Sequence, residues 1–495
     1  RLKKDNPDSS DYEKAKKNLI ISKLTLDYIY QNMTHDEIEQ VRFEYLMKRC
    51  KKGSVTLAEG ISVEEASVIG ENANVLKGIQ ISSGWSRQSM VDGQLSSIFG
   101  KVTTKRQGLP SEMKNELLAL GYTNDSRVGT SGLEKQYEDI LKATNSSYSI
   151  KYNSNGDPIV TNSINGQKGN NIRLSIDWEL QTFADELITN ELKACNSFNK
   201  YFEKMYFVMM NPNNGEIYAM ANSTSYNLES PRDDKNLLKK YSQSQVNKMS
   251  EKEKTKAFNE IWKNPIVSNA FEPGSTYKPF TVAAGLEEGI LKGNETYYCD
   301  GYQKVGPHTI HCSHRSGHGL ITLSQSISLS CNDALMQIAA KEGKNVFARY
   351  QKNFNFGNKT EIDLPGEAQT ASLLHDAKDM TAADLATSSF GQSFNCSMIQ
   401  MGSAFCSLIN GGNYYKPHVV KQLRSSNGEV VSNIEPTLVK QTISKETSDK
   451  LRKYMKETVD SGTGTKAKMK DYTAGGKTGT AQKIPRSAGT YIVSF

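Results

Sequence analysis

Ser275 and Lys278 lie in the stretch Phe271-Glu272-Pro273-Gly274-Ser275-Thr276-Tyr277-Lys278-Pro279-Phe280, where a Pro-Gly turn runs into what reads as a helix start. On a helix, positions i and i+3 share a face, so the hydroxyl and the amine can meet. Serine is a poor nucleophile until a neighbouring base takes its proton. Lysine can be that base only where burial or a nearby positive charge lowers its pKa toward neutrality. The pair therefore calls for a partly dry cleft with a second cation beside it. The spacing alone is common: Ser111 with Lys114 and Ser197 with Lys200 repeat it without a preceding Pro-Gly.

Two later stretches provide what the pair needs. Ser330-Cys331-Asn332 lies 55 positions after Ser275, and Lys477-Thr478-Gly479-Thr480 starts 147 positions beyond Ser330. Ser-x-Asn recurs at Ser197, Ser225 and Ser393, whereas Lys-Thr-Gly occurs once. In an acyl transfer, Ser275 would attack an amide carbonyl and Lys278 would accept its proton. Ser330 could relay that proton to the leaving amine, and Asn332 could hold a substrate amide or Lys278 itself. Lys477 would be the second cation that keeps Lys278 neutral, and with the hydroxyls of Thr478 and Thr480 it suits a substrate carboxylate. Gly479 lets the backbone approach closely. The backbone N–H groups of Ser275 and Thr480 would form an oxyanion hole.

The elements expected to carry these residues begin near Ile172. Asn171–Ile176 reads as a strand, Asp177–Leu192 as a helix, and Met205–Met210 with Glu216–Ala221 as a hairpin. Residues 228–262 are lysine-rich and polar and read as a surface excursion. The Ser275 helix is expected to reach about Glu288. Residues 293–320 read as an irregular loop, and Asp333 to about Glu342 as a helix. Met398–Ile409 is a helix with Met398, Met401, Phe405, Leu408 and Ile409 on one core stripe, ended by Gly411-Gly412. Upstream, Asp11–Tyr30, Thr34–Arg49 and Ser62–Leu76 carry helical periodicity, a short helix runs from Gly129 through Leu141, and Asn145–Gly169 alternates as a hairpin and linker. No nucleophile, metal cluster or phosphate loop precedes residue 170.

Cysteine usage points to a metal. Seven cysteines is an odd number, which argues against a complete disulfide framework. Cys299, Cys312, His318 and Cys331 form Cys-x12-Cys-x5-His-x12-Cys. Thiolate and imidazole donors select zinc, and four protein donors make a closed, structural site. His308, His311, His314 and Asp300 are alternative donors. Buried thiols beside loop histidines are the plainer reading, and the density of the cluster favours zinc over it. A catalytic zinc is disfavoured because three thiolates weaken the metal as a Lewis acid. Cys50, Cys195, Cys396 and Cys406 read as helical core residues.

Composition bounds the rest. A charged fraction of 23 % and a hydrophobic fraction of 37 % fit a folded globular chain, and 495 residues allow two or three domains. The net charge of +7 is scattered rather than gathered into a basic stripe with aromatics, so nucleic acid is not an expected partner. No apolar run is long enough to span a bilayer, and no signal peptide is visible. The chain starts at Arg1 and its end, Tyr491-Ile492-Val493-Ser494-Phe495, reads as a strand cut off midway, so a fragment of a longer protein is expected.

The ordered triplet Ser275-x-x-Lys278, Ser330-x-Asn332 and Lys477-Thr478-Gly479 resembles that of penicillin-recognising active-serine enzymes. The second part of the chain looks like the transpeptidase domain of class B penicillin-binding proteins. Family-like stretches include Leu174-Ser175-Ile176-Asp177, Pro212-Asn213-Asn214-Gly215-Glu216-Ile217, Ile362-Asp363-Leu364-Pro365-Gly366-Glu367, Phe390-Gly391-Gln392 and Asn410-Gly411-Gly412. Ser131-Gly132-Leu133-Glu134 with Tyr137-Glu138 is similar to the family's junction between pedestal and catalytic domain. The resemblance covers residues 60–100 weakly and 130–495 well.

It implies an α/β (α+β) protein with a penicillin-binding-protein/serine β-lactamase-like transpeptidase domain, an antiparallel sheet between helices, at residues 169–495. A non-catalytic, elongated pedestal of dimerisation type is implied at residues 1–168. The implied activity is serine D,D-transpeptidation of peptidoglycan stem peptides on the outer face of the cytoplasmic membrane, with β-lactam antibiotics acylating Ser275. A membrane glycosyltransferase and rod- or division-complex proteins are implied partners of the pedestal. Elongation-specific or sporulation members are the subclass most resembled, and elongation-type members hold zinc with Asp, Cys and His at places equivalent to the cluster here. The family's membrane helix, last strand and C-terminal helix are expected to lie outside this chain. The rivals are a D,D-carboxypeptidase or β-lactamase on the same fold, or a β-lactam-binding sensor or scaffold. Chain length argues against the first pair, and intact Lys278, Ser330 and Lys477 against the second.

Overall fold

The computed structural model describes residues 63–72, 93–103, 108–120, 122, 124, 126–143, 147–152, 158–164, 167–198, 204–482 and 491–494. The chain divides into two compact units, Arg1–Ser86 and Arg87–Phe495. In the first, Val63–Glu71 is a helix within the periodic stretch at Ser62–Leu76. The helices expected at Asp11–Tyr30 and Thr34–Arg49, and Cys50, lie outside the described residues.

The second unit holds every candidate site residue. Its first part is bound into the same core as the rest. Leu95, Ile98 and Leu133 pack in one apolar cluster with Ile217, Met220, Ile399 and Val419. Tyr137 marks the break between the short helices Gly132–Gln136 and Glu138–Leu141, and its hydroxyl donates to Asp363 Oδ2 at 3.2 Å. Ser147–Tyr152 and Pro158–Ile164 form the expected antiparallel hairpin.

Strand β1 (Asn171–Leu174) leads to helix α1 (Trp178–Phe198), which runs past the expected end at Leu192. Strands β2 (Tyr206–Met210) and β3 (Ile217–Asn222) make a hairpin whose Ala219 and Ala221 pack on Ala184 and Ile188 of α1. No helix among the described residues is long and apolar enough to cross a membrane.

Residues 228–262 differ from expectation. They fold into the helices Gln243–Lys248 and Glu251–Ile261, each opened by a serine capping box, Ser242 with Gln245 and Ser250 with Glu253. Leu237, Val246, Phe258, Ile261 and Trp262 close around buried Tyr226 as a small separate core. The many lysines masked an apolar face at helical spacing.

Helix α2 (Lys278–Glu287) follows a 3-10 turn at Gly274–Tyr277 and is buried from Lys278 to Leu286. Its surroundings are aromatic: Tyr277 meets Phe280, Phe347, Phe356 and Phe394 at ring separations of 4.8–5.9 Å.

The expected loop at 293–320 is two hairpins instead. Strand β4 (Thr296–Cys299) pairs with β7 (Gly319–Thr322), and between them β5 (Tyr302–Val305) pairs with β6 (His308–His311). The inner turn is Gly306-Pro307, with Gly306 at a φ of 59° that suits a glycine-led hairpin turn. Strands of four residues, rich in His and Tyr, carry too little apolar alternation to read as strands.

Helix α3 (Leu323–Ser328) then precedes α4 (Asn332–Asn353), which continues eleven residues beyond the expected end across a break at Gly343. Helix α5 (Ala382–Ser388) and helix α6 (Met398–Ile409) follow, the second with its expected bounds. Cys396 lies not on a helix but in the two-residue strand Cys396–Ser397. Strand β8 (Val420–Arg424) pairs antiparallel with β1 and with β9 (Val430–Asn433). Helix α7 (Lys445–Asp460) packs on α2, α3 and α6, and β10 (Gly479–Gln482) pairs with β11 (Tyr491–Ser494). All named strand pairs are antiparallel among the described residues. Helices enclosing antiparallel strands are the architecture the sequence led us to expect.

Candidate active site and metal centre

Ser275 is carried on the 3-10 turn ahead of α2, half-buried, and one turn before Lys278. The turn is forced against β10. Gly274 has φ 58°, and a Cβ there would lie 2.5 Å from the carbonyl oxygen of Thr480. Only glycine permits that approach. It sets the Ser275 and Thr480 backbones side by side, with Thr480 on the exposed side of β10.

Lys278 is fully buried and donates to the carbonyl oxygen of Ser330 at 2.5 Å and to Ser330 Oγ at 3.0 Å. Lys477, 5 % exposed, donates to the same Ser330 Oγ at 2.9 Å and to the carbonyl oxygen of Thr478 at 2.8 Å. Two amines therefore converge on one hydroxyl. Ser330 reaches both through a left-handed backbone, φ 57°, which costs a non-glycine residue about 1–3 kcal/mol and marks a site where position outweighs local stability.

Burial draws Lys278 down to about 8, opposed by the charges of Cys331 and Cys312. Lys477 goes further, to about 6, through burial and then the charge of Lys278. Both amines are thus drawn toward their neutral forms, each by burial first, and the charge of Lys278 adds to the effect on Lys477.

Asn332 turns its amide to the carbonyl oxygen of His311 at 3.4 Å rather than to Lys278. Thr478 Oγ1 meets Thr463 Oγ1 at 2.9 Å. The sequence marks the stretch Gly462-Thr463-Gly464 but gives Thr463 no role; its echo of the Thr-Gly of Lys477-Thr478-Gly479 is the signal that points to one. The decoy pair Ser111 and Lys114 is exposed on both members, and Lys200 lies outside the described residues.

Cys299 ends β4, Cys312 follows β6, His318 precedes β7, and Cys331 caps α4, where its Sγ accepts from the N–H of Ala334 at 3.4 Å. One donor atom from each of the four lies within 4.8 Å of all the others. His318 Nδ1 is 3.5 Å from Cys299 Sγ and 3.7 Å from Cys312 Sγ, and Cys331 Sγ is 3.9 Å from Cys312 Sγ. The hydrogen bond between the Cys312 and Cys331 thiols draws Cys312 below the ordinary cysteine value. His308, His311, His314 and Asp300 are exposed and do not belong to the cluster.

The chain is similar to known proteins. The family model described as the penicillin-binding protein transpeptidase domain matches residues 205–495, and that of the penicillin-binding protein dimerisation domain matches residues 6–174. Stage V sporulation protein D of Bacillus subtilis (strain 168) is 31 % identical over 385 residues, 76 % of this chain and 55 % of that protein. Penicillin-binding protein 2B of Streptococcus pneumoniae (strain D39) is 28 % identical over 440 residues, 82 % of this chain and 59 % of that protein. The solved structure of penicillin-binding protein 2B from Streptococcus pneumoniae (strain 5204) superposes with a TM-score of 0.64 at 25 % identity, covering 96 % of this chain and 78 % of that one. The chain spans a little over half the length of these two curated relatives. The transpeptidase family covers more than half of the sequence and the dimerisation family most of the residues before it: the chain belongs to the class B penicillin-binding proteins.

Proposed function

We propose that this protein is a serine D,D-transpeptidase that cross-links peptidoglycan stem peptides through an acyl-enzyme on Ser275. The convergence of Lys278 and Lys477 on Ser330 Oγ carries the reading. Two buried amines sharing one hydroxyl resist holding two protons. A stem-peptide or β-lactam carboxylate arriving at Lys477, Thr478 and Thr480 favours a charged Lys477. The pair's proton is then drawn from Lys278 through Ser330 Oγ, and Lys278 is left as a neutral base.

Lys278 takes the proton of Ser275 Oγ as that oxygen bonds to the penultimate D-Ala carbonyl. The oxyanion accepts from the N–H groups of Ser275 and Thr480. Ser330 Oγ passes a proton to the departing terminal D-Ala as the C–N bond breaks, leaving the Ser275 ester. An amine of a second stem then attacks the ester, gives up its proton along the same route, and releases Ser275. β-Lactams meet the same serine, and the opened ring stays bound as the ester.

Cys299, Cys312, His318 and Cys331 fit one structural zinc. Tetrahedral Zn–S bonds of about 2.3 Å imply donor–donor separations of about 3.8 Å, close to the 3.5, 3.7 and 3.9 Å found between these atoms. Zinc held there would fix the thiolates and, through Cys331, the flanking Ser330 and Asn332. The substrate places the domain on the outer face of the cytoplasmic membrane. The dimerisation-type region is the surface for a membrane glycosyltransferase and rod- or division-complex proteins.

Fluorescent penicillin and intact mass test the assignment. The wild-type protein should gain one adduct that maps to Ser275, and Ser275→Ala should gain none. Persistent labelling of that variant would place the nucleophile elsewhere, and rapid turnover of free penicillin would favour a β-lactamase.

A further inference from the structure

The nucleophile's turn runs beside a second segment, residues 387–397, which has no part in the chemistry proposed above. Ala270 pairs with Ser397 and Phe271 with Cys396 in antiparallel register. Beyond them, Ser393 N–H donates to Glu272 Oε1 at 2.8 Å, and Gly274 N–H donates to the carbonyl oxygen of Gly391 at 2.8 Å. Past that two-residue ladder the two segments stay joined by these two hydrogen bonds. Phe394, between the joined positions, is buried edge-on against Tyr277 at 4.8 Å.

Ser393 holds a φ of 65°, a conformation unfavourable for any residue but glycine. Its three polar groups are gripped from three directions. The N–H goes to Glu272, the carbonyl oxygen accepts from His375 Nε2 at 3.0 Å, and the hydroxyl meets Thr387 Oγ1 of α5 at 2.8 Å. The same Nε2 lies 4.0 Å from Asp384 Oδ1. The outcome is a contact without slack: a Cβ on Gly391 would lie 2.0 Å from the carbonyl oxygen of Gly274.

We propose that Glu272, Ser393 and His375 form a positioning clamp that holds the Gly391 carbonyl on the Gly274 N–H and so fixes the Ser275 turn for acylation. The clamp touches no substrate. It spends backbone strain at Ser393 to keep the Ser275 N–H and hydroxyl aimed at one point, where misplacement by about 1 Å can slow a reaction by about a hundredfold. This inference rests on Ser275 being the acylated residue.

The test is stopped-flow acylation by a fluorescent penicillin, separating initial binding from the acylation step, with melting temperature recorded for each variant. Glu272→Ala should slow the acylation step about tenfold to a hundredfold and leave initial binding unchanged. Glu272→Gln, which keeps the acceptor for Ser393 N–H, should recover most of the rate. His375→Ala removes a half-exposed side chain and should also slow acylation, with His375→Gln restoring it. If wild-type protein shows no Ser275 adduct, the functional reading fails. If wild-type is acylated and Glu272→Ala keeps its rate, the clamp is overturned. Should Glu272→Ala not fold, an unaltered rate in His375→Ala overturns it equally.

Discussion

Ser330 is the residue on which the site turns. Its hydroxyl receives both lysines and its strained backbone aims the carbonyl at Lys278. Burial sets the sign of the pH dependence. Lys278 and Lys477 are held at about 8 and about 6, below the ordinary lysine value of 10.5, so the folded state favours their neutral forms. A depressed lysine pKa means that proton uptake opposes folding. This contribution to stability is therefore fully present above the unfolded lysine value of 10.5, is lost as pH falls from there to the folded values, and changes no further below them. In the proposed reaction the sign is the same, since only a neutral Lys278 can accept the Ser275 proton. The acylation rate constant should rise about tenfold between about pH 5 and about pH 7, as the lysine pair gives up its second proton near pH 6, measured with a penicillin whose own charge is constant over that range. A rate that fell across that interval would remove Lys278 as the base.

At the scale of elements, the two hairpins between β4 and β7 and the start of α4 are brought together by Cys299, Cys312, His318 and Cys331. Short strands with exposed outer faces hold little burial energy of their own, so the cross-link at their bases should carry much of their order. Elemental analysis of purified protein should find about one zinc per chain. Cys312→Ser should lower both that content and the melting temperature, and chelation should shift the wild-type melting temperature in the same direction. Metal-free protein with an unshifted melting temperature would return the cluster to plain buried thiols. The sequence showed the donors but not the strands. Four-residue strands without apolar alternation give no periodic signal, while Cys and His at these spacings do.

For the whole molecule, Asp363 joins the junction near Tyr137 to the sheet. Its carboxylate accepts from the N–H groups of Val419 and Val420 at 2.8 and 2.9 Å and from Tyr137 Oη at 3.2 Å. Asp363→Ala strands two backbone donors next to a buried apolar cluster, at about 1–3 kcal/mol for each. A drop in unfolding free energy of about 3 kcal/mol is expected by denaturant titration, with one penicillin adduct per folded chain retained. Loss of adduct from protein that remains folded would show that Asp363 acts on the site itself.

The chemistry was legible in the chain because nucleophilic and ligating side chains declare themselves by type. Ser275, Lys278, Ser330 and Lys477 follow one another in an order that also names the family. Helices with a full apolar stripe, Met398–Ile409 above all, were legible for the same reason, since period and burial agree there. The convergence of the two lysines on Ser330 Oγ, the amide of Asn332 turned to His311, the core beneath the lysine-rich 228–262 stretch and the grip of Glu272 on Ser393 were decided only by the tertiary structure. Each depends on which distant groups come within a few ångströms, and electrostatic and packing energies at that range are set by contacts between residues tens to hundreds of positions apart.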